Sequence, residues 1–453
     1  MNVVDTVKNA AFASAIQAAL NYMDKDPETN IPKVMSIVDK AAPEGWYESQ
    51  RNAIRQGIAE KGNWYQLAQK VWELDPGVRK TFFTNFIVNA SLKGSALQKE
   101  TEEKEDCNVP WAILLDPTSA CNLHCTGCWA AEYGHKLNLS LETIDDIVTQ
   151  GKKLGTYMYI YTGGEPMVRK KDIITICERH PDCEFLSFTN GTLIDEEFCQ
   201  EMLRVKNFVP AISLEGFETA NDGRRGPGVF DKVKHAMQLL KEHNLPFGIS
   251  TCYTSMNYKD ITSEEFYDMI IEAGALFIWF FHYMPVGNDA AIDLLPTPEQ
   301  REYMYHRVRE IRGLEGGKPI FAIDFQNDGE YVGGCIAGGR NYLHINPNGD
   351  VEPCVFIHYS SANIKEVTLL EALKQPLFMA YRDNQPFNNN HLRPCPMLEN
   401  PEYLRNMVKQ CGAKSTDLQS LEEVDHLCDK CTLYAHNWAD VADKLWEENK
   451  KEK

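Results

Sequence analysis

The sequence predicts an α/β protein in which a parallel β-sheet core lies between an all-helical N-terminal domain and a loop-rich, cysteine-containing C-terminal domain. Three observations support this prediction: the N-terminal part has only helical periodicity, six short apolar runs then alternate with helical runs, and six of the fourteen cysteines follow residue 318. At 453 residues the chain is too long for one ordinary domain of roughly 50 to 250 residues. We therefore expect three domains, over residues 1–108, 109–317 and 318–453.

Composition and charge narrow the class of protein. Hydrophobic residues make up 43% and charged residues 25% of the chain, which excludes a disordered or fibrous protein. The net charge of −19 argues against nucleic-acid binding, because phosphate backbones require a basic surface. No apolar run approaches the roughly 18 residues that cross a bilayer, and Asp5 and Gln17 break the pattern of a signal peptide. We expect a cytoplasmic protein with no nucleic-acid partner.

The N-terminal domain consists of helical stretches joined by short polar breaks. Two of these breaks, Asp26-Pro27 and Asp75-Pro76, are typical of places where one helix ends and the next begins. The charged run at 99–106 is expected to be a solvated connection to the core. The predicted helices are Val4–Tyr22, Ile31–Ala41, Trp46–Lys61, Trp64–Leu74 and Gly77–Leu97.

The core begins at Trp111, where short apolar runs start to alternate with helical ones. The predicted strands are Ala112–Leu115, Tyr157–Tyr161, Phe185–Phe188, Val209–Leu214, Phe247–Cys252 and Leu276–Tyr283. The predicted helices are Leu141–Leu154, Lys171–Arg179, Asp195–Val205, Phe230–His243, Ser263–Glu272 and Thr297–Arg312. Six such units in series imply a parallel sheet, either an open doubly wound sheet or a curved, incomplete barrel. In both, ligands bind at the C-terminal ends of the strands.

Three cysteines follow the first strand directly: Cys121, Cys125 and Cys128. In a long acidic chain, cysteines this close together indicate reduced metal ligands rather than disulfides. Three thiolates can bind three irons of a 4Fe-4S cluster and leave the fourth iron open to a substrate or cofactor. A zinc site is the alternative, with His124 or His135 as the fourth ligand.

The second strand ends in Thr-Gly163-Gly164-Glu165-Pro, and with the cysteine triplet this motif resembles the radical S-adenosylmethionine (SAM) superfamily. The resemblance implies a partial (β/α)6, TIM-like barrel. It also implies that the triplet holds the cluster, that the open iron chelates SAM, and that residues 163–165 contact the methionyl amine. That family usually has an aromatic residue just before the third cysteine, where this chain has Gly127. Trp129 or the Gly127 backbone is expected to serve the adenine instead.

Polar residues at the following strand ends agree with this resemblance. In the family such positions approach the ribose, carboxylate and methionine of SAM, and a guanidinium group pairs well with a carboxylate. The expected cofactor-binding residues are Gly163, Gly164, Glu165, Asn190, Ser213, Glu215 and Arg224 or Arg225, with Asn257 after the fifth strand.

The C-terminal domain carries a second cysteine pattern. Cys335, Gly349 and Cys354 resemble the opening of the SPASM/twitch extension, and Cys428 and Cys431 form a later pair. Four thiolates suffice for one auxiliary 4Fe-4S cluster, although they would hold structural zinc equally well. Cys395 and Cys411 are expected either to replace one ligand or to form a second, incomplete site.

The resemblance implies an oxidoreductase-type radical SAM enzyme. It would reductively cleave SAM to a 5′-deoxyadenosyl radical that takes hydrogen from an unactivated C–H bond of a peptide or lipid-like substrate. An electron donor such as flavodoxin or ferredoxin is implied as a partner. The alternative is a non-catalytic iron-sulfur or zinc protein that acts as an electron carrier or scaffold.

One N-terminal helix gives an indication of the kind of substrate. Around Phe82 and Phe86, bulky apolar residues are flanked by basic Arg79, Lys80 and Lys93. Such a helix suits a peripheral membrane contact or a long apolar substrate, while ordinary packing against the core is the alternative.

Overall fold

The computed structural model describes residues 48–313 and 316–452, together with 14–15, 18–26, 29–30, 33–34, 36 and 39–40. The helices predicted at Val4–Tyr22 and Ile31–Ala41 fall largely outside the described residues. Among the helices in these ranges, none is both long and apolar enough to cross a membrane.

A nine-stranded sheet forms the centre of the fold. Its strands are β1 Ala112–Leu115, β2 Met158–Tyr161, β3 Glu184–Thr189, β4 Phe208–Ser213, β5 Gly248–Tyr253, β6 Phe277–His282, β7 Phe321–Asp324, β8 Tyr342–Ile345 and β9 Val351–Glu352. Their spatial order is β7-β6-β5-β4-β3-β2-β1-β8-β9. Every neighbouring pair is parallel except β8 with β9. A separate antiparallel pair joins β10 Tyr359–Ser360 to β11 Lys414–Ser415.

The sheet confirms the predicted α/β class. All six predicted strands form, with ends that differ by a few residues at most, and each pairs with its sequence neighbour. The strand order is linear over the described residues, so the sheet is open, as in a partial barrel. Nearly every residue of β1 to β4 is buried, as expected for parallel strands covered on both faces.

Helices connect the strands at the predicted places and begin at predictable caps. The Ser140 side chain accepts a hydrogen bond from the Thr143 N–H, and Ser263 does the same for Phe266. The sequence did not predict the helix Glu218–Arg225, because its eight residues are mostly polar and contain Gly223. The connecting helices are Leu141–Leu154, Lys170–Arg179, Glu196–Val205, Glu218–Arg225, Val229–Glu242, Glu264–Ala273 and Pro298–Arg312.

The N-terminal helices cover the edge of the sheet at which the strands begin. Asn85 Nδ2 donates to the Cys183 carbonyl just before β3, and Gln98 Nε2 donates to the Gly155 carbonyl before β2, both at 2.8 Å. The charged run at 99–106 continues a helix, which differs from the predicted connection. The described N-terminal helices are Glu48–Ala59, Asn63–Glu73, Pro76–Phe82, the π-helix Phe83–Gly94 and Ser95–Glu105.

The apolar helix considered for membrane contact packs against the core through the half-buried Phe86. The rings of Phe82 and Phe86 stack with centroids 5.2 Å apart, and Phe86 meets Trp111 edge-on at 5.4 Å. Trp111 lies just before β1, so these rings close the same edge of the sheet. This contact agrees with the alternative of ordinary packing against the core.

The C-terminal region is more regular than predicted. Strands β7 and β8 extend the central sheet at both sides, so this region shares the core of the barrel. Arg301 and Glu399 form a fully buried ion pair at 2.6 Å, and Arg301 also stacks on Trp438 of the last helix. The helices are Gly329–Val332, Leu369–Leu373, Pro376–Asn384, Pro401–Cys411 and Val424–Glu452.

Candidate active site

The inner side of the sheet and its C-terminal edge enclose a cavity of about 260 Å³, which we call the main cavity. Strands β1 to β6 each contribute side chains to it. Of the predicted core residues, all but Glu215 and Asn257 line it: Cys121, Cys125, Cys128, Gly163, Gly164, Glu165, Asn190, Ser213, Arg224 and Arg225. Predicted residues from five separate segments thus meet in one place.

The cysteine loop is tied to the unpredicted helix Glu218–Arg225. The Thr126 N–H donates to the Arg224 carbonyl at 3.0 Å, and Arg224 Nε donates back to the Thr126 carbonyl at 3.2 Å. Arg225 Nη1 lies 4.0 Å from Cys125 Sγ. The helix therefore holds the loop in place and brings positive charge to its thiols.

The thiols of this loop suit a metal cluster better than they suit free thiolates. Burial raises the pKa of Cys121 to about 11, and burial followed by the neighbouring Cys125 raises the pKa of Cys128. A bound metal supplies the positive charge that such thiols need in order to ionise. Three soft sulfur donors on one loop fit three irons of a 4Fe-4S cluster.

The two glycines after β2 are required by backbone packing as well as by the cavity. A Cβ at Gly164 would lie 2.3 Å from the Ala120 carbonyl oxygen, and Gly163 has φ +101°. The Glu165 N–H donates to the same Ala120 carbonyl at 2.8 Å. Glycine therefore lets this segment lie against the start of the cysteine loop.

The Glu165 carboxylate joins the ends of β2 and β3. Its oxygens accept hydrogen bonds from Thr189 Oγ1 at 2.6 Å, the Asn190 N–H at 2.7 Å and the Met167 N–H at 2.9 Å. Burial raises its pKa even though these bonds oppose the shift. Its side chain thus orders the two strand ends, and the Asn190 side chain in turn donates to Asn122 Oδ1 in the cysteine loop.

Glu215 lies behind the cavity wall and holds both arginines. Arg224 Nη1 and Arg225 Nη2 lie 2.6 Å and 2.5 Å from the same Glu215 oxygen, and Glu215 is fully buried. One carboxylate balances only one of two guanidinium charges, so a net positive charge faces the cavity beside the cysteines. Asn257 does not line the cavity; it bonds to the Glu215 and Cys252 carbonyls.

Tyr283, at the end of β6, occupies the space beside Gly127. Gly127 has φ +66°, and a Cβ there would lie 2.8 Å from ring and hydroxyl atoms of Tyr283. Tyr283 lines the main cavity, as Trp129 does. An aromatic surface thus lies next to the position where the resemblance led us to expect one, and no sequence signal connects these two residues.

The other part of the main cavity is aromatic, and we call it the aromatic lobe: Phe188, Trp279, Phe281 and Phe325. Their ring centroids lie 5.2 to 5.5 Å apart in successive contacts. The Trp279 indole N–H is buried and has no hydrogen-bond partner among the residues that the structure describes. Nearby His282 is neutral, since burial and then Arg301 lower its pKa well below the ordinary value.

A second cavity of about 60 Å³ lies in the C-terminal region, and we call it the small cavity. Cys335, Cys354 and Cys395 line it, whereas the predicted Cys428 and Cys431 do not. These last two are fully buried on the helix Val424–Glu452. Burial, followed by the thiols of Cys335, Cys354, Cys395 and Cys428, raises the pKa of Tyr381, which also lines the small cavity. Cys411 lines neither cavity.

A buried charge cluster, which the sequence did not predict, joins the core to the C-terminal hairpin. His344 Nε2 lies 3.0 Å from Asp116 at the end of β1, and His344 Nδ1 lies 2.7 Å from Glu352 of β9. The Tyr133 hydroxyl donates to Glu352 at 2.8 Å. Burial alone lowers the pKa of His344, but the two carboxylates outweigh it and raise the pKa to about 10.

Comparison with known proteins identifies two domains in this chain. The radical SAM superfamily profile matches residues 115–273, and the profile of an iron-sulfur cluster-binding domain, SPASM, matches residues 335–397. The chain is 25% identical to the AdoMet-dependent heme synthase of Methanosarcina barkeri, over 57% of this chain and 80% of that protein. It is 26% identical to the PqqA peptide cyclase of Granulibacter bethesdensis, over 54% of this chain and 67% of that protein.

Among solved structures, Streptococcus suis SuiB bound to S-adenosylmethionine has the same fold. The TM-score is 0.56 at 20% identity, over 68% of this chain and 77% of SuiB. The first match includes the cysteine loop and the two glycines after β2, and the second includes Cys335, Cys354 and Cys395 of the small cavity. The chain therefore contains a radical SAM domain and a SPASM iron-sulfur cluster-binding domain, and it is an enzyme with an auxiliary cluster.

Proposed function

We propose that this enzyme modifies a peptide at an uncharged, apolar or aromatic side chain. The observation that carries the proposal is that the aromatic lobe and the cysteine loop share the main cavity. When bound, the cluster and SAM supply a one-electron cleavage that produces an organic radical able to take hydrogen from a C–H bond. The chain's own residues bind and orient the two reactants.

In this proposal, the polar part of the main cavity binds the cluster and SAM. Cys121, Cys125 and Cys128 hold the cluster, and the net positive charge of the Glu215 group attracts the SAM carboxylate. Backbone groups of 163–165 face the methionyl amine. Glu165 keeps these groups in position through its bonds to the end of β3.

In this proposal, the aromatic lobe binds the substrate. Among the described residues that line the main cavity, the positively charged side chains are Arg224 and Arg225, both already paired with Glu215. A substrate with several carboxylates, such as a tetrapyrrole, would leave its charges unbalanced in this part. A peptide offers apolar and aromatic side chains that pack against the rings of the aromatic lobe.

The names of relatives agree with a peptide. One is a PqqA peptide cyclase, and SuiB has been solved bound to its precursor peptide SuiA. Heme synthases are equally similar in sequence, and the charge of the main cavity is the observation that favours a peptide over a tetrapyrrole. A lipid substrate and a peripheral membrane contact stay predictions: Phe86 packs against Trp111 of the core, and Phe82 stacks on Phe86.

The small cavity holds the auxiliary cluster in this proposal. Its ligands are Cys335, Cys354 and Cys395, which line the small cavity, and Cys428 from the nearby pair. Compared with the predicted ligands, this set includes Cys395, and Cys431 becomes a neighbour of the cluster rather than a ligand. An electron donor such as flavodoxin or ferredoxin supplies the reducing electron.

The experiment has two parts. Anaerobically reconstituted protein with dithionite and SAM should form 5′-deoxyadenosine, measured by liquid chromatography and mass spectrometry. Peptides from cells with and without the gene should then differ by a mass change on an apolar or aromatic residue. The absence of 5′-deoxyadenosine would contradict the reaction, and a changed lipid or tetrapyrrole with unchanged peptides would contradict the substrate.

A further inference from the structure

The main cavity and the small cavity are separated by a single layer of side chains. The residues that line both cavities are Met284, Phe325, Ile336, Tyr342 and Phe356. Among these five, Tyr342 alone has an O–H or N–H in its side chain. Any polar contact that this wall makes through a side-chain donor is therefore made by Tyr342.

The Tyr342 hydroxyl contacts a cysteine of the small cavity. Its Oη lies 2.7 Å from Cys354 Sγ, and both residues are buried, with 5% and 8% of their surface exposed. The Phe356 N–H also points at this sulfur, at 3.5 Å. Cys354 Sγ thus has two donors in its surroundings.

The backbone holds Tyr342 firmly. It is the first residue of β8 and pairs with Ala112 of β1, and its N–H donates to the Ile336 carbonyl at 3.2 Å. Its ring meets Phe325 edge-on, with centroids 6.3 Å apart. Because the strand and the ring contact fix both ends of the side chain, the hydroxyl stays at the sulfur without further ordering cost.

We propose that Tyr342 is a positioning residue that sets the reduction potential of the auxiliary cluster through its hydrogen bond to Cys354. The inference rests on the proposed function, in which Cys354 is a ligand of that cluster. A metal-bound thiolate has no proton, so Tyr342 is the donor. A donor to a ligand sulfur stabilises the extra electron of the reduced cluster and so raises its potential. A wall residue with this effect makes the auxiliary cluster a better electron acceptor.

The test is Tyr342→Phe in the full-length, anaerobically reconstituted protein. The two clusters are followed by electron paramagnetic resonance during a redox titration, and the core cluster is recognised by its response to SAM. We expect the midpoint potential of the auxiliary cluster to become more negative, with the iron content and the core midpoint unchanged.

Tyr381→Phe is the matched control. Tyr381 also lines the small cavity, but its buried hydroxyl has no partner among the described residues. This variant removes the same atom from the same cavity without removing a sulfur contact. An equal shift in both variants, or no shift in Tyr342→Phe, overturns the inference.

A second measurement needs no substitution. Resonance Raman spectra of the unaltered protein in H₂O and D₂O should show a shift in an iron–cysteine sulfur stretch of the auxiliary cluster, because a hydrogen-bonded sulfur responds to exchange of the proton. If Tyr342→Phe fails to fold, the absence of this shift contradicts the inference. Finding only one cluster's worth of iron in the unaltered protein contradicts the proposed function instead, so the two failures are distinguishable.

Discussion

The ring of Tyr283 lies against Gly127, with ring and hydroxyl atoms 2.8 Å from the point that a Cβ of residue 127 would occupy. A side chain at 127 and the observed position of Tyr283 exclude each other. The chain therefore has an aromatic surface beside the third cysteine of the loop, Cys128, but this surface comes from the end of β6 rather than from the cysteine loop itself.

This relationship predicts a role for Tyr283 in SAM binding. Tyr283→Ala should weaken the binding of SAM to the reconstituted protein by about 1 to 3 kcal/mol, the usual contribution of an aromatic ring stacked on a base. Tyr283→Phe keeps the ring and loses only the hydroxyl that accepts from the Ala291 N–H. Anaerobic calorimetry should show weaker binding for the first variant and near-normal binding for the second. Equal affinity of Tyr283→Ala and the unaltered protein would refute the assignment.

The core cluster is tested by two cysteines that line the same cavity. Cys125→Ala should abolish 5′-deoxyadenosine formation and remove about one cluster of iron, because two thiolates do not hold the cluster in place. Cys252→Ala serves as the control, since Cys252 lies on β5 and lines the main cavity outside the triplet. We expect this control to retain iron and activity. Full cleavage activity in Cys125→Ala would show that the triplet is not the cluster loop.

Substitution of Cys395 and Cys411, whose role the sequence left open, tests the proposed ligands of the auxiliary cluster. Cys395 lines the small cavity, whereas Cys411 ends a helix and lines neither cavity. Cys395→Ala should lower the iron content by about one cluster while slow SAM cleavage persists, and Cys411→Ala should change neither. Iron and zinc are measured in protein isolated without oxygen. Zinc in place of iron, or equal iron in both variants, would contradict the proposed ligand set.

The buried cluster around His344 predicts a pH-dependent stability. The pKa of His344 is about 10 in the folded chain, above the ordinary value of 6.5, so the proton on His344 stabilises the fold fully below pH 6.5. This stabilisation is lost as the pH rises from 6.5 through 10. His344→Gln leaves Asp116 and Glu352 without their cation and should cost about 3 to 5 kcal/mol at neutral pH.

Thermal unfolding followed by circular dichroism between pH 6.5 and 10 checks this prediction. The melting temperature of the unaltered protein should fall across the range, and that of His344→Gln should fall less. Parallel curves for the two proteins would show that another group is responsible, because only the difference between them reports on His344.

The chain's local patterns predicted most of the fold. The apolar runs of β1 and β2 are continuous because parallel strands are buried on both faces, and such runs are readable without knowing what covers them. The short strands β7 and β8 were missed for a related reason. Each has four residues, and their membership in the sheet depends on pairing with β6 and β1, which are distant in the sequence.

The sequence by itself determined the cofactor chemistry of this protein. Cys121, Cys125 and Cys128 lie within eight consecutive residues, and the Gly163-Gly164-Glu165 segment follows the next strand directly, so their spacing carries the information. Residues this close in the sequence stay close together in the folded chain, because a short loop allows its side chains few arrangements.

Only the tertiary structure decided the contacts between distant segments. It placed Tyr283 on Gly127, Tyr342 beside Cys354 in the wall between the cavities, and Cys395 in the small cavity. It also paired both arginines with Glu215. These contacts join residues that no periodicity relates, and they form because the curved sheet brings the ends of its strands to one edge, where side-chain packing selects the neighbours.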